Sequence, residues 1–257
     1  INGSGRLVNA TSIKFLINLT GNLTILPGGI IALNGTDSTT AGVIQDGGNL
    51  TIVADAVNLT SGALITADGG RIPTSSSILG GNGGVVNISA NSLYFDGNIS
   101  LDGGDHPGST SFGGGGDAGT LILDIDNSFD INGNIFARGG TGRTNSCTIG
   151  SDGEPGNGGL IIITNKNANL LMGIVDASPG EEGTCPTSLN KKSEIYARKI
   201  NATKLLVAGI INASNITITG EYGAKNSGHD AASGSRGGLG ANLTIIADTL
   251  NLSSTGV

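Results

Sequence analysis

The strongest constraint on this chain is a repeat. Segment 47–70, GGNLTIVADAVNLTSGALITADGG, returns in altered wording at 83–104 (GGVVNISANSLYFDGNISLDGG), 118–140 (AGTLILDIDNSFDINGNIFARGG) and 158–180 (GGLIIITNKNANLLMGIVDASPG). Each unit, roughly twenty-odd residues long, has three short apolar runs and no helical period. It cannot bury its own apolar face and must stack on copies of itself. Within 49–68 the apolar residues alternate with polar ones, so Leu50, Ile52 and Ala54 are expected inside and Asn49, Thr51 and Val53 outside. A turn at Asp55 leads to a second strand around Val57 and Leu59, and Gly62 introduces a third around Leu64. The predicted fold is all-β, a parallel β-helix (β-solenoid) of about seven three-strand coils.

Two residue columns support this register. A first-strand column reads Leu23, Leu50, Val86, Leu121, Ile161, Ile195 and Leu243, all aliphatic. A third-strand column reads Ile44, Leu64, Ile99, Ile135, Val175 and Ile211, each two residues after a glycine: Gly42, Gly62, Gly97, Gly133, Gly173 and Gly209. A glycine recurring before a strand predicts a corner that needs positive φ or close backbone approach.

The repeat runs nearly end to end, so 1–257 reads as one solenoid domain without a linker. Glycine-rich insertions at about 69–84, 103–119, 139–159, 179–193 and 220–240 share one corner and are expected to stack there as a flap. Residues 1–20, with Ile13, Phe15, Leu16 and Ile17, do not follow the register and read as a cap or docking strand. Residues 249–257 read as an incomplete terminal coil. Open solenoid ends present strand edges that invite another chain. Ile13, Phe15, Ile17, Leu250, Leu252 and Val257 are therefore the candidate assembly residues, with self-association head to tail set against truncation of a longer chain.

A net charge of −7 with only 13 Lys and Arg argues against a nucleic-acid partner. No apolar run approaches the roughly 20 residues of a membrane-spanning helix, and no signal-like segment opens the chain, which reads as a processed chain or a fragment. Cys147 and Cys185 lie in insertions that follow consecutive repeats. Equivalent positions on neighbouring coils are about 4.8 Å apart, so a disulfide between them is expected, in keeping with an extracytoplasmic location; two unpaired thiols are the alternative.

Fourteen asparagines stand in N-x-[ST] sequons: Asn2, Asn9, Asn18, Asn22, Asn34, Asn49, Asn58, Asn87, Asn98, Asn201, Asn212, Asn215, Asn242 and Asn251. Random order at this composition gives roughly five, for a motif with frequent chance matches. Part of the excess follows from strand geometry, because outward Asn and Thr around an inward aliphatic residue spell the same motif. Sequons in turns, such as Asn34-Gly35-Thr36, need another cause, and N-linked glycans at several sites are the expectation.

No catalytic constellation emerges. Outward Asp124 and Arg198 are separated by Thr164 and two coils, and Asp130 has Tyr94 as neighbour. His106 and His229 read as solvated loop side chains. Asp152 and Glu154 lack the alternating ligands of a calcium loop, and GGGGD at 113–117 falls short of a calcium-roll repeat, so calcium is an unsupported possibility and no cofactor is expected. No phosphate-loop Lys-Ser/Thr follows Gly113–Gly116.

The pattern GG, apolar strand, apolar strand, G-N-I-x-A-x-GG over about 40–253 is similar to glycine-rich adhesin-like surface proteins of archaea and bacteria, distantly like filamentous haemagglutinin. The resemblance implies a right-handed parallel β-helix and a role in cell-surface attachment, sheaths or fibres, and it carries no catalytic motif. The expected function is a glycosylated structural subunit of an extracellular filament or surface layer. A β-helix polysaccharide lyase or hydrolase and a monomeric carbohydrate-binding adhesin are the alternatives.

Overall fold

The computed structural model describes residues 6–8, 14–37, 45–72, 79–106, 114–142, 155–165, 171–177 and 180, and, as strand backbone, 193–197, 199–207, 209–212, 215–219, 244–246 and 249–253. These residues form parallel strands and extended connections, with no helix. Three consecutive turns of the solenoid are described through all their faces. Each pairs a long strand with a short one: β5 (Asn49–Leu59) with β6 (Leu64–Thr66), β7 (Val85–Phe95) with β8 (Asn98–Ser100), and β9 (Thr120–Ile131) with β10 (Asn134–Phe136).

The expected turn at Asp55 is corrected to a change of phase inside a continuous strand. Ala54 and Val57 are both buried, with the exposed Asp55 and half-buried Ala56 between them, so β5 bends onto a second face without leaving its ladder. Earlier in the chain the two faces are separate strands, β2 (Lys14–Asn18) on Asn49–Val53 and β3 (Leu23–Ile25) on Val57–Leu59. In β9 two residues, Asp126 and Asn127, stand opposite the single Asn91 at this bend, a bulge.

The first-face column is Phe15, Leu50, Val86, Leu121, Ile161, Ile195, Ile211 and Ile245. Residues 14–18, expected to lie off the register, therefore lie in it as a rung. Leu23 belongs to the second face, and Ile211 to the first face instead of the third. Ile245 stands where Leu243 was expected. The third-face column is Leu7, Ile31, Ile65, Ile99, Ile135, Val175 and Leu205, so the residue of β6 in the apolar core is Ile65, one past Leu64. Ile44 and Gly42 lie outside the described residues.

The corner glycines serve two purposes. Leu26–Gly29 and Thr60–Ala63 are turns closed by Gly29 N–H donating to Leu26 O (2.8 Å) and Ala63 N–H to Thr60 O (2.9 Å), with Gly28 and Gly62 at φ of 77° and 81°. With Pro27 second and a left-handed glycine third, the first is a type II turn. Later corners are two residues shorter and Gly97 is not left-handed; a Cβ there would lie 2.6 Å from Ala63 O. Inside the prism the columns stack into one apolar core from Leu23 to Ala177, with Ile25, Ile52, Ile88, Phe95, Leu121 and Ile135 fully buried.

Candidate functional site

The feature that distinguishes this solenoid is the corner from which the insertions leave. Outgoing arms begin after the third face at 33–37, 67–72, 101–106 and 137–142, and returning arms re-enter the first face at 45–48, 79–84, 114–119 and 155–159. Their N–H groups point in three directions in turn. Asp68 N–H donates backwards to Asn34 Oδ1 (3.0 Å), Gly69 N–H forwards to Asp102 O (2.8 Å), and Gly70 N–H sideways to Gln45 O (2.9 Å); Arg71 and Ile72 then repeat the backward and forward directions, to Asp37 Oδ1 and Asp105 O. The returning arm obeys the same rule. Gly80 and Gly83 donate forwards, Gly81 and Gly84 sideways, and Asn82 and Val85 backwards. A period of three is that of a polyproline II helix, which makes no internal hydrogen bonds and here finds its partners in neighbouring arms.

Sideways bonds tie the two kinds of arm into a zigzag. Gly70 donates to Gln45, Gly81 to Gly70, Gly104 to Gly81, Gly116 to Gly104, Gly140 to Gly116, Gly156 to Gly140 and Gly180 to Gly156, at 2.8–3.0 Å. Arms this close leave no room for side chains between them. A Cβ on Gly69, Gly80, Gly104, Gly116 or Gly140 would lie only 1.9–2.1 Å from a neighbouring carbonyl oxygen, far inside contact distance. The insertions were expected to stack at one edge. The described arms, as far as Gly180, do so as a sheaf of mutually bonded extended chains, while 181–192 and 220–240 lie outside the described residues.

Sequence reading missed the side chains that complete the sheaf. Within the arms the backward direction is served by Asn and Asp of the preceding turn, while at the entrance to the first face Thr120 and Leu160 donate backward to the carbonyls of Gly84 and Gly119. One column runs Asn34, Asp68, Asp102, Arg138, in which each Oδ1 accepts the next residue's N–H at 2.8–3.0 Å. A second runs Asp46, Asn82, Asp117, Asn157 at 2.7–2.9 Å. In a third, Asp37 accepts from Arg71 and Asp105 from Thr141. The available signal was the recurring Asn-Gly and Asp-Gly pair, as in Asn34-Gly35, Asp68-Gly69 and Asp102-Gly103. Charge is distributed along the columns. Asp and Asn alternate in the second, and Arg71 bonds Asp105 (2.6 Å) while Arg138 Nε bonds Asp102 (3.1 Å). Burial outweighs the Arg138 guanidinium and the backbone bond at Asp102 and holds its carboxyl above the usual aspartate range, whereas the same hydrogen bond raises Arg138. The Arg138 guanidinium also stands 5.1 Å over the Phe136 ring.

His106 corrects an expectation. Its side chain is fully buried in the outgoing arm, and its N–H donates to Thr141 O (2.9 Å), because the sheaf leaves no solvated face there. Asp124 and Thr164 are cross-strand neighbours, with Thr164 Oγ1 donating to Asp124 Oδ1 (3.1 Å), and Asp130 stands opposite Tyr94. Gly114–Gly116 are arm residues, and Asp117 accepts from Asn157. Among the described residues no group of three His, Cys, Asp or Glu could hold a metal ion, and no helix is long and apolar enough to cross a membrane. Cys147, Cys185, Asp152, Glu154, Arg198, His229, Ile13 and Val257 lie outside the described residues.

The sequons divide by position. Asn18 and Asn22 are exposed on the rung of β2 and β3. Asn34, Asn49 and Asn98 are half-buried, and their side-chain oxygens accept from Asp68 N–H, Val85 N–H and Asn134 Nδ2. Asn58 is half-buried with its Oδ1 enclosed, and Asn87 is half-buried too. The residue inside each of the motifs at 22, 49, 58, 87 and 98 (Leu23, Leu50, Leu59, Ile88, Ile99) is core, as strand alternation requires. Asn201, Asn212, Asn215 and Asn251 are strand positions, as are Leu250 and Leu252; Asn2, Asn9 and Asn242 lie outside the described residues.

The fold and the sheaf define a class, a parallel β-solenoid with a glycine-packed corner. No protein-family model matches the chain, and no curated protein or solved structure does.

Proposed function

We propose that this protein is a structural subunit of an extracellular filament or cell-surface layer, joined through its β-solenoid ends and carrying N-linked glycans. The observation that carries the reading is the way the described body spends its hydrogen bonds. Ladders, sheaf and Asn/Asp columns all connect one turn to the next, which yields a body stiff along its axis. Among the described residues the first-face ladder ends at β2 with its rung half covered: Phe15 and Ile17 are only partly buried, while Leu50 and Ile52, their neighbours in the next rung, are 1% and 0% exposed. A half-covered apolar rung favours association. Glycans at the exposed Asn18 and Asn22 would project from the flanks of that rung.

Negative-stain electron microscopy of the protein from its native source, purified without denaturant, tests the reading. Long unbranched filaments are expected. Isolated short particles at every protein concentration would refute it.

A further inference from the structure

We infer that Asn132 is a self-modification site, where the Gly133 nitrogen attacks the side-chain amide and expels ammonia, while the other described Asn-Gly pairs, at Asn34, Asn82 and Asn157, are held unreactive. The inference is independent of the filament reading. A fifth such pair, Asn2-Gly3, lies outside the described residues. Asn-Gly is open to this reaction because glycine leaves the attacking nitrogen unshielded. Ring closure requires the asparagine side chain to swing onto its own main chain and the glycine N–H to leave its acceptor. In the sheaf that movement breaks the columns. Asn34 Oδ1 accepts from Asp68 N–H (3.0 Å), and Gly35 N–H donates to Asp68 O (2.8 Å). Asn82 Oδ1 accepts from Asp117 N–H (2.9 Å), and Gly83 N–H donates to Asp117 O (2.8 Å). At Asn157 both Nδ2 and N–H donate to Asp117 Oδ1 (3.0 and 2.7 Å), which ties side chain and main chain to one carboxylate oxygen.

Asn132 stands elsewhere, in the two-residue corner between β9 and β10. It is exposed, its Nδ2 reaches Asp130 Oδ1 only at 3.3 Å, and no N–H among the described residues donates to its Oδ1. Gly133 N–H donates to Phe95 O (2.9 Å), but Asn132 N–H donates to the same oxygen (2.7 Å), so releasing Gly133 leaves Phe95 O satisfied. At Asn34 and Asn82 the swing instead strips a backbone N–H of its acceptor, and one such loss lowers the reactive population about tenfold. The Gly133 nitrogen bonds to Asn132 Cγ as the Cγ–Nδ2 bond breaks. Nδ2 departs as ammonia with the Gly133 proton, and nothing is oxidised or reduced. Water then opens the cyclic imide, at Cγ to give aspartate or at the main-chain carbonyl to give isoaspartate, whose chain runs through Cγ. Aspartate fits this corner, since Asp96 holds the same place one turn earlier with its N–H on Leu59 O (2.7 Å). Isoaspartate lengthens the corner by one carbon. A Cβ on Gly133 would already fall inside contact distance of Gly97 O, so the corner has no slack, and Asn134 N–H would lose its place on Gly97 O (3.0 Å).

The test is peptide mapping of the unsubstituted chain after incubation at mildly alkaline pH, folded and in urea, with aspartate and isoaspartate told apart by electron-based fragmentation. In urea the four pairs should convert at similar rates, since each is Asn-Gly. In the folded protein Asn34, Asn82 and Asn157 should convert at least about tenfold more slowly than Asn132. Folded-state conversion of Asn82 as fast as that of Asn132 would overturn the inference. So would an Asn132 slowed by folding as much as the arm residues are, because the corner would then protect it equally.

Discussion

At Asp102 a single carboxylate does three things: it accepts the backbone N–H of Arg138, pairs with the guanidinium of the same residue, and lies half-buried beside Asp68. The backbone bond matters most, since an arm N–H without its acceptor costs about 1–3 kcal/mol, whereas an ion pair whose arginine is 49% exposed is worth about 1 kcal/mol or less. Asp102→Ala should therefore destabilise by about 1–3 kcal/mol in denaturant titration, and Asp102→Asn, which keeps an Oδ1 as Asn34 does in the same column, by under about 1 kcal/mol. The pH dependence follows from the raised pKa. The native carboxyl holds its proton more tightly than the unfolded one, so its contribution is fully present below the ordinary aspartate range and is lost as pH rises through the native value. Asp102→Asn should gain on the parent protein as pH rises through that interval; a constant difference would show that burial does not control the group.

At the scale of the arm, glycine is a steric requirement that differs from position to position. Gly104→Ala and Gly116→Ala each place a Cβ against a neighbouring backbone carbonyl and should cost about 1–3 kcal/mol or more by separating adjacent arms. Gly21→Ala has open space and should change stability by less than about 0.5 kcal/mol. Equal effects in the three variants, measured by thermal unfolding, would contradict the sheaf. Much of this element was legible in the sequence. The insertions share a corner because the repeat places them there, and the aliphatic alternation fixed Leu50, Ile52, Val86 and Ile99 as core. The threefold rotation of the N–H groups was not legible, because glycine has no side chain to mark a period. The Asn-Gly and Asp-Gly pairs that serve its third direction look like ordinary turn signals. Leu64 was misassigned because corners differ by two residues between turns, so a column counted from glycines slips; Leu23 was placed on the first face because the strand holding Phe15 and Ile17 was read as lying outside the register.

For the molecule as a whole, stability is a sum over turns and their interfaces. Ile99→Ala removes a buried side chain shared with Ile65 and Ile135 and should cost about 2–5 kcal/mol, read as a fall in the urea midpoint. Glycopeptide mapping of native material should find sugar at Asn18 and Asn22 and unmodified Asn34, whose oxygen sits inside the corner ladder; occupancy of Asn34 alone would reverse that assignment. Non-reducing intact mass decides the Cys147 to Cys185 bond, with two free thiols as the contrary result.

Between Ile195 and Ile211 the ladder advances one rung in sixteen residues, while Leu50 to Val86 takes thirty-six. The shorter figure is what a closed loop of this prism needs, so in the earlier turns about half the polypeptide is spent on the glycine corner. The same chain wound without arms would make a longer and thinner rod. A beam resists bending far more through its depth than through its length, and the arms deepen the cross-section on one side only. The body should therefore bend less readily in the plane containing the sheaf than across it. Any fibre built from it would have a stiff direction and a compliant one, as a ruler does.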